Sequence, residues 1–368
     1  MRILFVQKDL FERSIGGSEF YEHHLARELR TRHDVRILCT APKVPAEGRW
    51  REENAGEPKA FEVPANWDLY PSAERARAVE AAFARILDEF RPEIVHVQDL
   101  VRLSLEIPRI AANRGVPVLL TAHEFFLICP RLILRTSRET LCDGPSLLGC
   151  LRCGSDMARR RYVPKQIATD RWRTRIKRQG KAFVQRRVTE SYFALGRRRQ
   201  FIETASHIER ILCPSAFLRD RLCDAGVPAA KCRVIGYGLP DLGRPLAKTQ
   251  SPRTRFAFIG NPARHKGIFV LLAAARAAPE LAITIYGALG TDVEAAVRAE
   301  IGTLPNVRLA GVLHDDAKAE AYSSIDALIV PSIWYENQPI TILEAFHFRT
   351  PVVASRLGGM EEMLRHGG

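Results

Sequence analysis

The 368-residue sequence lacks the common phosphate-binding signatures. It contains no Asp-x-Asp, the pattern with which sugar-transferring enzymes of the GT-A fold hold a diphosphate through a divalent metal, and this argues against that class. It contains neither G-x-x-x-x-G-K-[ST] nor G-x-G-x-x-G, so the phosphate loops of nucleoside triphosphatases and dinucleotide enzymes are missing too. A bound phosphate group would have to be met by basic side chains and by helix N-termini.

Long apolar runs are also missing. No run approaches the roughly 18 apolar residues that are needed to span a bilayer. The apolar stretch at the N-terminus is too short for a signal peptide and instead predicts a buried first strand. Without an export signal, we expect the eight cysteines to be reduced thiols in the cytoplasm.

Acidic residues are scarce in one block only. Ala158–Gln200 holds 15 Lys and Arg against Asp170 and Glu190, so its local charge of +13 equals the net charge of the whole chain. Aromatic residues are interleaved with these basic ones, and basic helices that carry aromatics fit an anionic membrane surface. Three other interpretations stay open: an acidic, lipid-diphosphate-linked acceptor, nucleic acid without a recognised motif, and a solvated helical hairpin.

Short apolar runs alternate with helix-period segments along most of the chain. This alternation predicts an α/β protein with parallel sheets covered on both faces, and a restart of the pattern predicts two doubly wound, Rossmann-like domains. We place an N-terminal domain at 1–240, a linker at 241–253 and a C-terminal domain at 254–368. The N-terminal domain would carry a Cys-rich loop at 125–155 and a basic helical insertion at 158–200. The predicted strands are Ile3–Val6, Val35–Cys39, Ile94–Val97, Val118–Thr121, Ile211–Cys213, Phe256–Ile259, Ile283–Tyr286, Val307–Leu309, Ala327–Val330 and Val352–Ala354.

Two carboxylates follow the apolar run Ala327–Val330. Glu336 lies in the loop after this strand, Pro339 suits the first turn of the next helix, and Glu344 lies within that helix. Free N–H groups at the helix start favour an anion, and Glu336 is placed to accept hydrogen bonds from hydroxyls. A sugar with its nucleotide diphosphate presents those partners. The alternative is a helix whose early acids merely complement its macrodipole.

A Lys-Gly pair follows the predicted strand Phe256–Ile259. Lys266 is a mobile point charge that suits a leaving diphosphate, and Gly267 precedes a helix. The alternative is a solvated basic turn.

These motifs resemble the family-4 retaining glycosyltransferases, and the resemblance covers nearly the whole chain. Glu336 and Glu344 match the family's E-x7-E motif. The resemblance implies that Glu336 faces the donor sugar and Glu344 the nucleotide ribose. It also implies the GT-B architecture, in which two Rossmann-like domains face each other across a cleft.

The Lys-Gly turn matches the family only in part. The family pattern is Gly-Arg-…-Lys-Gly, and its Arg and Lys clamp the phosphates. Here Asn261 stands at the Arg position, and Arg264 is our candidate for the missing charge. By the same resemblance Lys266 supports the leaving group, and the expected donor-binding residues also include Asn337, Gln338 and Pro339.

Two segments of the N-terminal half match as well. Gly16 and Gly17 lie where the family has a glycine-rich loop that approaches the donor phosphate or the acceptor. His123 matches the strand-end Thr-x-His-Asp/Glu pattern, which implies contact with the transferred sugar. His96, at the end of the neighbouring strand, is a second candidate.

Four cysteines fall within 25 residues: Cys129, Cys142, Cys150 and Cys153. Only the last pair has the Cys-x2-Cys spacing of metal ligands, and some family members carry a similar insertion. A structural zinc and a loop held by reduced, partly buried thiols both remain open. No cofactor is expected to be required.

The predicted function is retaining, metal-independent front-face transfer from a nucleotide-diphosphate sugar to a glycan, polysaccharide or lipid-linked acceptor. The acceptor is expected to bind mainly to the N-terminal domain. The protein is expected in the cytoplasm, peripherally on the inner face of the cytoplasmic membrane, and no nucleic acid partner is expected. Because of Asn261, a catalytically weak nucleotide-sugar-binding or membrane-docking protein on the same fold is the alternative. The family continues past this chain's last residue, Gly368, so we expect a fragment or an early-terminated product.

Overall fold

The computed structural model describes eleven stretches of the chain. They are 1–10, 16–45, 47–51, 58–64, 73–129, 131–136, 138–146, 148–150, 153, 200–290 and 293–366. The predicted basic insertion lies outside the described residues except for Gln200. Parts of the Cys-rich loop and the last two glycines lie outside them as well.

The chain forms two compact units. The first comprises Met1–Arg13, Ala26–Cys213 and Arg219–Arg233. The second comprises Ser14–Leu25, Pro214–Leu218 and Val234–Gly368.

The first sheet has eight strands in the order β3-β4-β2-β1-β5-β6-β7-β8. β3 pairs with β4 in the antiparallel direction, and the pairs from β4 through β7 are parallel. The strands are β1 (Arg2–Val6), β2 (Asp34–Ala41), β3 (Arg49–Trp50), β4 (Lys59–Pro64), β5 (Ile94–Val97), β6 (Val118–Thr121), β7 (Arg210–Cys213) and β8 (Cys232–Val234). The helices of this part of the chain are α1 (Gly17–Arg30), α2 (Ala73–Phe90), α3 (Ile107–Ala112) and α4 (Ala216–Asp224), and residues 200–206 are also helical.

Burial explains why these segments form a parallel sheet. Four successive residues of β1 are buried, as expected for a strand that is covered on both faces. The amphipathic helix α2 buries Phe83 and Ile86 completely, and Phe5 of β1 is buried to the same extent. Each such side chain contributes about 1.5–3 kcal/mol when it is removed from water.

The second sheet has five parallel strands in the order β11-β10-β9-β12-β13. They are β9 (Arg255–Ile259), β10 (Ala282–Tyr286), β11 (Val307–Gly311), β12 (Ala327–Val330) and β13 (Val352–Ala354). The helices are α5 (Ile268–Ala277), α6 (Glu294–Ile301), α7 (Lys318–Ser323), α8 (Ile340–His347) and α9 (Gly359–His366).

Two apolar clusters cover the second sheet. Phe258 packs in a cluster with Leu272 of α5, whereas its neighbour Ala257 packs in another with Ile342 of α8. Successive side chains of a strand point to opposite faces, so the sheet has helices on both faces. The predicted α/β fold class with two parallel-strand sheets is confirmed.

Each sheet contains a point where the strand order reverses. In the first sheet it lies between β1 and β5, and in the second between β9 and β12. In open α/β sheets, ligands bind beyond the carboxyl ends of the strands at such a point. The residues that follow β1, β5, β9 and β12 are therefore the first places to look for chemistry.

Residues 235–254 contain neither helix nor strand. A lysine precedes this segment and another lies within it. Lys231 Nζ donates to the carbonyl oxygens of residues 205, 206 and 208 at 2.7–3.1 Å, within the first unit. Lys248 Nζ donates to the carbonyl oxygens of residues 322 and 325 and to Thr350 Oγ1 at 2.7–2.8 Å, within the second unit. Each ammonium group thus has three acceptors.

All of the predicted strands occur, with ends that differ by at most two residues. β3, β4 and β8 were not predicted. β3 has two residues, and β4 contains a lysine, a glutamate and a final proline, which weaken the apolar signal of a strand. Among the described helices, none is both long and apolar enough to cross a membrane.

Candidate active site

The turn after β9 places Lys266 at the reversal point of the second sheet. Gly267 follows with φ of 76°, a left-handed conformation that favours glycine. A Cβ atom on Gly267 would lie 1.8 Å from the carbonyl oxygen of Pro331, so only glycine lets this turn approach the end of β12. A main-chain hydrogen bond also joins this turn to the loop after β12, since Ile333 N donates to the His265 carbonyl at 2.9 Å.

The loop after β12 delivers Glu336 to the same place. Its Oε1 atom accepts hydrogen bonds from Lys266 Nζ at 2.7 Å, Ser332 Oγ at 2.8 Å and Trp334 Nε1 at 2.7 Å. No donor in the described residues reaches Oε2. One carboxylate oxygen is thus saturated by the protein, and the other is available to a hydroxyl.

The charge of Glu336 is stabilised although the residue is only 6% exposed. Burial alone would raise the pKa of its carboxyl group. The charge of Lys266 and the hydrogen bonds from Lys266, Ser332 and Trp334 outweigh burial and lower the pKa below its usual value. Glu336 is therefore an ionised acceptor at neutral pH.

Two glycines of the loop after β13 lie against the main chain of Glu336. Gly359 N donates to the Glu336 carbonyl at 2.7 Å, and a Cβ atom on Gly359 would lie 1.6 Å from the Asn337 carbonyl oxygen. Gly358 has φ of 60°. The loop after β13 is thus in direct contact with the main chain of Glu336 and Asn337.

Glu344, the second carboxylate of the motif, is bound by a buried pair on α7. Its Oε1 accepts from Lys318 Nζ at 2.6 Å and its Oε2 from the Tyr322 hydroxyl at 3.1 Å. Lys318 also contacts Asp315 at 2.7 Å. Burial, followed by the charge of Glu344, raises the pKa of Tyr322 well above its usual value, so the hydroxyl keeps its proton. Among the described residues, each Glu344 oxygen thus has one side-chain donor and can accept another hydrogen bond.

The remaining residues predicted to bind the donor lie around this centre. Asn261 is exposed, and the exposed Arg264 places its guanidinium 4.7 Å from the ring centroid of Phe269. Arg264 therefore has an aromatic partner on α5. Asn337 is buried next to Glu336, and Pro339 caps α8. Gln338 Oε1 accepts from the Tyr237 N–H at 2.5 Å.

The predicted glycine-rich turn is partly described. Ser14 and Ile15 lie outside the described residues. Gly16 lies against the carboxylate of Glu19, which accepts from Ser18 Oγ at 2.8 Å. A Cβ atom on Gly17 would be 3.8 Å from Ile340 Cδ1, so Gly17 lies at the start of α8.

The first unit brings its two predicted histidines to neighbouring strand ends. His123 Nε2 is 2.8 Å from Gln98 Oε1, and His96 Nε2 is 2.8 Å from Thr121 Oγ1. Burial lowers the pKa of His96 to about 4. Burial, then the charges of Lys8 and His96, lowers the pKa of His123 to about 3. Both rings are neutral at physiological pH and act as hydrogen-bonding groups.

A small pocket opens beside His123 in the first unit. Lys8 follows β1 and Asp99 follows β5, and their ion pair of 3.2 Å marks the reversal point of this sheet. The pocket combines polar groups with an apolar wall. Its lining residues are Gln98, Asp99, Leu100, Leu120, Thr121, Ala122, His123, Glu124, Phe126 and Leu127.

The four clustered cysteines are described individually. Burial raises the pKa of Cys129, whose sulfur also accepts from the N–H groups of Arg131 and Leu134, and burial raises the pKa of Cys150. Cys142 Sγ donates to the Gly144 carbonyl at 3.3 Å. Within the described residues no group of three or more His, Cys, Asp or Glu side chains is placed to hold a metal ion. A structural zinc at these cysteines stays a prediction.

Comparison with known families assigns both halves of the chain. The family described as Glycosyltransferase Family 4 matches residues 15–240, more than half of the chain. The family described as Glycosyl transferases group 1 matches residues 253–368. The chain belongs to glycosyltransferase family 4. In this glycosyltransferase Glu336 follows β12, and Glu344 lies in α8.

Solved structures show the same GT-B fold. Sucrose-phosphate synthase from Thermosynechococcus elongatus superposes with a TM-score of 0.64 at 17% identity, covering 98% of this chain and 83% of that one. HepE from Anabaena, solved in complex with UDP and glucose, gives 0.62 at 16% identity, covering 100% and 83%. A glycosyltransferase from Rickettsia africae gives 0.61 at 15% identity, covering 99% and 82%.

One relative matches locally in sequence. An uncharacterized glycosyltransferase from Methanocaldococcus jannaschii is 36% identical over 67 residues. The matched segment spans 18% of this chain and 17% of that relative.

Sequence reasoning did not identify four side chains that hold the two glutamates. Ser332 and Trp334 stand four and two residues before Glu336, so their position directly after β12 was an available signal. Lys318 and Tyr322 reach Glu344 from a separate helix, and no local sequence spacing predicts these contacts.

Proposed function

We propose that this glycosyltransferase transfers a sugar from a nucleotide-diphosphate donor with retention of configuration at the anomeric carbon. The observation that carries the proposal is the Lys266–Glu336 pair at the reversal point of the second sheet. A donor sugar presents hydroxyls, which suit the unoccupied acceptor Oε2 of Glu336, and a diphosphate, which suits Lys266. HepE, which shares the fold, was solved with UDP-glucose and with UDP and glucose, which favours a uridine donor as the first to test.

The chemistry assigned to each residue follows from its charge. The bond between the anomeric carbon and the diphosphate oxygen breaks, and the acceptor oxygen bonds to the same face of the sugar. The proton of the acceptor hydroxyl leaves with the diphosphate. Lys266 stabilises the developing negative charge, and Glu336 orients the sugar through its hydroxyls. His123, in the first unit, is neutral and acts only as a hydrogen-bonding group.

The test is a panel of nucleotide sugars with Glu336→Gln and Lys266→Met as variants. Both substitutions keep the side-chain size and remove the charge. We expect each to lower turnover at least a hundredfold while the melting temperature changes little, because stabilisation of the leaving group and of the sugar is lost. Glu294→Gln is the matched control, since Glu294 pairs with Arg298 on an exposed face of α6. Near-normal transfer by both variants would contradict the proposal.

Asn261 favours a second candidate function, a nucleotide-sugar-binding protein with weak catalysis. This exposed amide replaces the family's phosphate-binding arginine, and Arg264 is in contact with Phe269. If the second candidate is correct, UDP binds, but no donor of the panel is hydrolysed or transferred. Asn261→Arg would then raise turnover.

The acceptor and the membrane surface belong to the same proposal. We assign a glycan or lipid-linked acceptor to the first unit and anionic lipid to Ala158–Gln200, because that block carries the entire excess charge. Co-sedimentation with vesicles that contain phosphatidylglycerol, compared with phosphatidylcholine alone, tests the lipid partner. Binding that is equal for both lipids and indifferent to salt would contradict it.

A further inference from the structure

Trp334 contacts both members of the Lys266–Glu336 pair. Its indole Nε1 donates to Glu336 Oε1 at 2.7 Å, and its ring lies 4.9 Å from Lys266 Nζ. The nitrogen–oxygen distance between Lys266 and Glu336 is itself 2.7 Å. One side chain thus binds the carboxylate with its polar edge and the ammonium with its aromatic face.

Trp334 is itself held from both loops of the site. The His265 ring meets it edge-on, with centroids 4.9 Å apart and an interplanar angle of 76°. Next to it in the chain, Ile333 N donates to the His265 carbonyl at 2.9 Å. The indole is therefore fixed between the turn that carries Lys266 and the loop that carries Glu336.

Glu336 and Lys266 differ in how strongly their surroundings restrict the side chain. Glu336 has 8% of its side chain exposed, whereas Lys266 has 33% exposed. A lysine has a flexible four-carbon side chain and loses conformational freedom when it is fixed in one geometry. The aromatic face narrows the positions open to Lys266, and the N–H is one of the three donors that occupy Glu336 Oε1.

We propose that Trp334 is a positioning residue of the transfer reaction, which keeps Glu336 Oε2 directed to the donor sugar by occupying Oε1 and keeps Lys266 beside it. This inference rests on the proposed function. It predicts that the N–H group of Trp334 matters separately from the size of its ring.

Three substitutions separate these roles. Trp334→Phe removes the N–H and keeps an aromatic face, Trp334→Leu removes both, and Trp50→Phe is the matched control. Trp50 packs edge-on against Phe61 in the first unit, beside Arg36 and Lys59. We expect Trp334→Phe to lower kcat for UDP-glucose, or for the panel donor turned over fastest, by roughly ten- to a hundredfold. We expect KM and UDP affinity to change much less, and Trp334→Leu to be worse.

The pH profile distinguishes positioning from packing. Lys266 is the charged side chain bonded to Glu336, and His265 is the titratable group against Trp334. Removal of a donor disfavours the ionised carboxylate, so the acid limb of the kcat profile should move to higher pH in Trp334→Phe. A Phe variant with wild-type kcat and an unmoved acid limb would overturn the inference.

A measurement that does not depend on turnover separates this inference from the proposed function. With glutamate labelled by ¹³C at the carboxyl carbon, Glu336→Gln identifies the Glu336 resonance. Its titration should move to higher pH in Trp334→Phe and stay in place in Trp50→Phe. An unchanged titration overturns the inference even if the enzyme is active. A shifted titration without turnover of any donor supports the contact but refutes the proposed function, and with it the role in transfer.

Discussion

At the residue scale, the charge state of Glu336 depends on few hydrogen bonds. Ser332→Ala removes one donor to Oε1 and leaves Lys266 and Trp334 in place. We expect about a tenfold loss of turnover and an acid limb at higher pH, because the ionised carboxylate loses stabilisation. The pH dependence of kcat measures both effects. Ser251→Ala, at an exposed turn, is the control and should behave as wild type.

Buried His96 predicts a pH-dependent stability. Its pKa is about 4 in the folded protein and about 6.5 when unfolded, so the unfolded chain binds more protons between these values. The free energy of unfolding therefore falls as the pH is lowered through that window. Between pH 7 and pH 5, one such histidine accounts for about 2 kcal/mol.

Urea unfolding of His96→Gln at the two pH values tests this. The amide can still bond to Thr121, whereas the titration is gone. The difference in unfolding free energy between pH 7 and pH 5 should shrink by about 2 kcal/mol relative to wild type. An unchanged difference would show that His96 does not titrate in this window.

The sequence predicted where a residue lies in the fold best when that residue follows the end of a strand. Glu336, Lys266 and His123 lie in the segments that follow the predicted strands β12, β9 and β6, and strand order places those segments at one edge of each sheet. The contacts of Trp334 and of Lys318 with the two glutamates depend on rotamers and on the packing of α7 against α8. Such side-chain geometry is not encoded by local spacing, so it required the structure.

At the element scale, the turn before α5 and the end of β12 form one backbone contact. Gly267→Ala combines a left-handed φ with a Cβ atom 1.8 Å from the Pro331 oxygen, so a main-chain shift is required. We expect a loss of unfolding free energy of about 3 kcal/mol or more together with reduced turnover, because Lys266 moves. Chemical denaturation and the donor assay measure these two effects.

Gly243 offers a matched control for this prediction. Its φ of 77° is nearly that of Gly267, but a Cβ atom there meets nothing within 4 Å. Gly243→Ala should therefore cost only the backbone strain, about 1–2 kcal/mol, and leave turnover unchanged. Equal effects of both substitutions would show that the contact with Pro331 does not matter.

Two of the three strands that the sequence did not predict share a physical cause. β3 stands at one edge of the first sheet and β8 at the other, whereas β4 pairs with both β3 and β2. An edge strand has one neighbour and needs less apolar surface, as the exposed residues of β8 show. Central strands such as β5, β6 and β12 are buried on both faces, and their bounds matched the apolar runs.

At the scale of the whole molecule, each unit has its own apolar core. Phe83→Ala in the first unit and Leu272→Ala in the second should each cost about 2–5 kcal/mol. In differential scanning calorimetry, we expect unfolding to deviate from a two-state transition, with each variant lowering a different component. A single transition lowered equally by both would contradict independent cores.

Calorimetry also tests which of the two units binds the proposed donor. UDP at a hundred times its dissociation constant should stabilise the binding unit by about 2.7 kcal/mol. The component that Leu272→Ala lowers should therefore show the larger upward shift. A shift confined to the component that Phe83→Ala marks would argue against a donor site in the second unit.

The two lysines near the connecting segment have a consequence for chemical reactivity. Lys231 and Lys248 each have all three ammonium hydrogens occupied by oxygen acceptors. An acylating reagent must reach the nitrogen past these acceptors, so both positions should be modified slowly by amine-reactive mass tags while the native state persists, even though burial lowers the pKa of Lys248. The labelling rate of Lys231 would therefore report local opening in the first unit, and that of Lys248 local opening in the second.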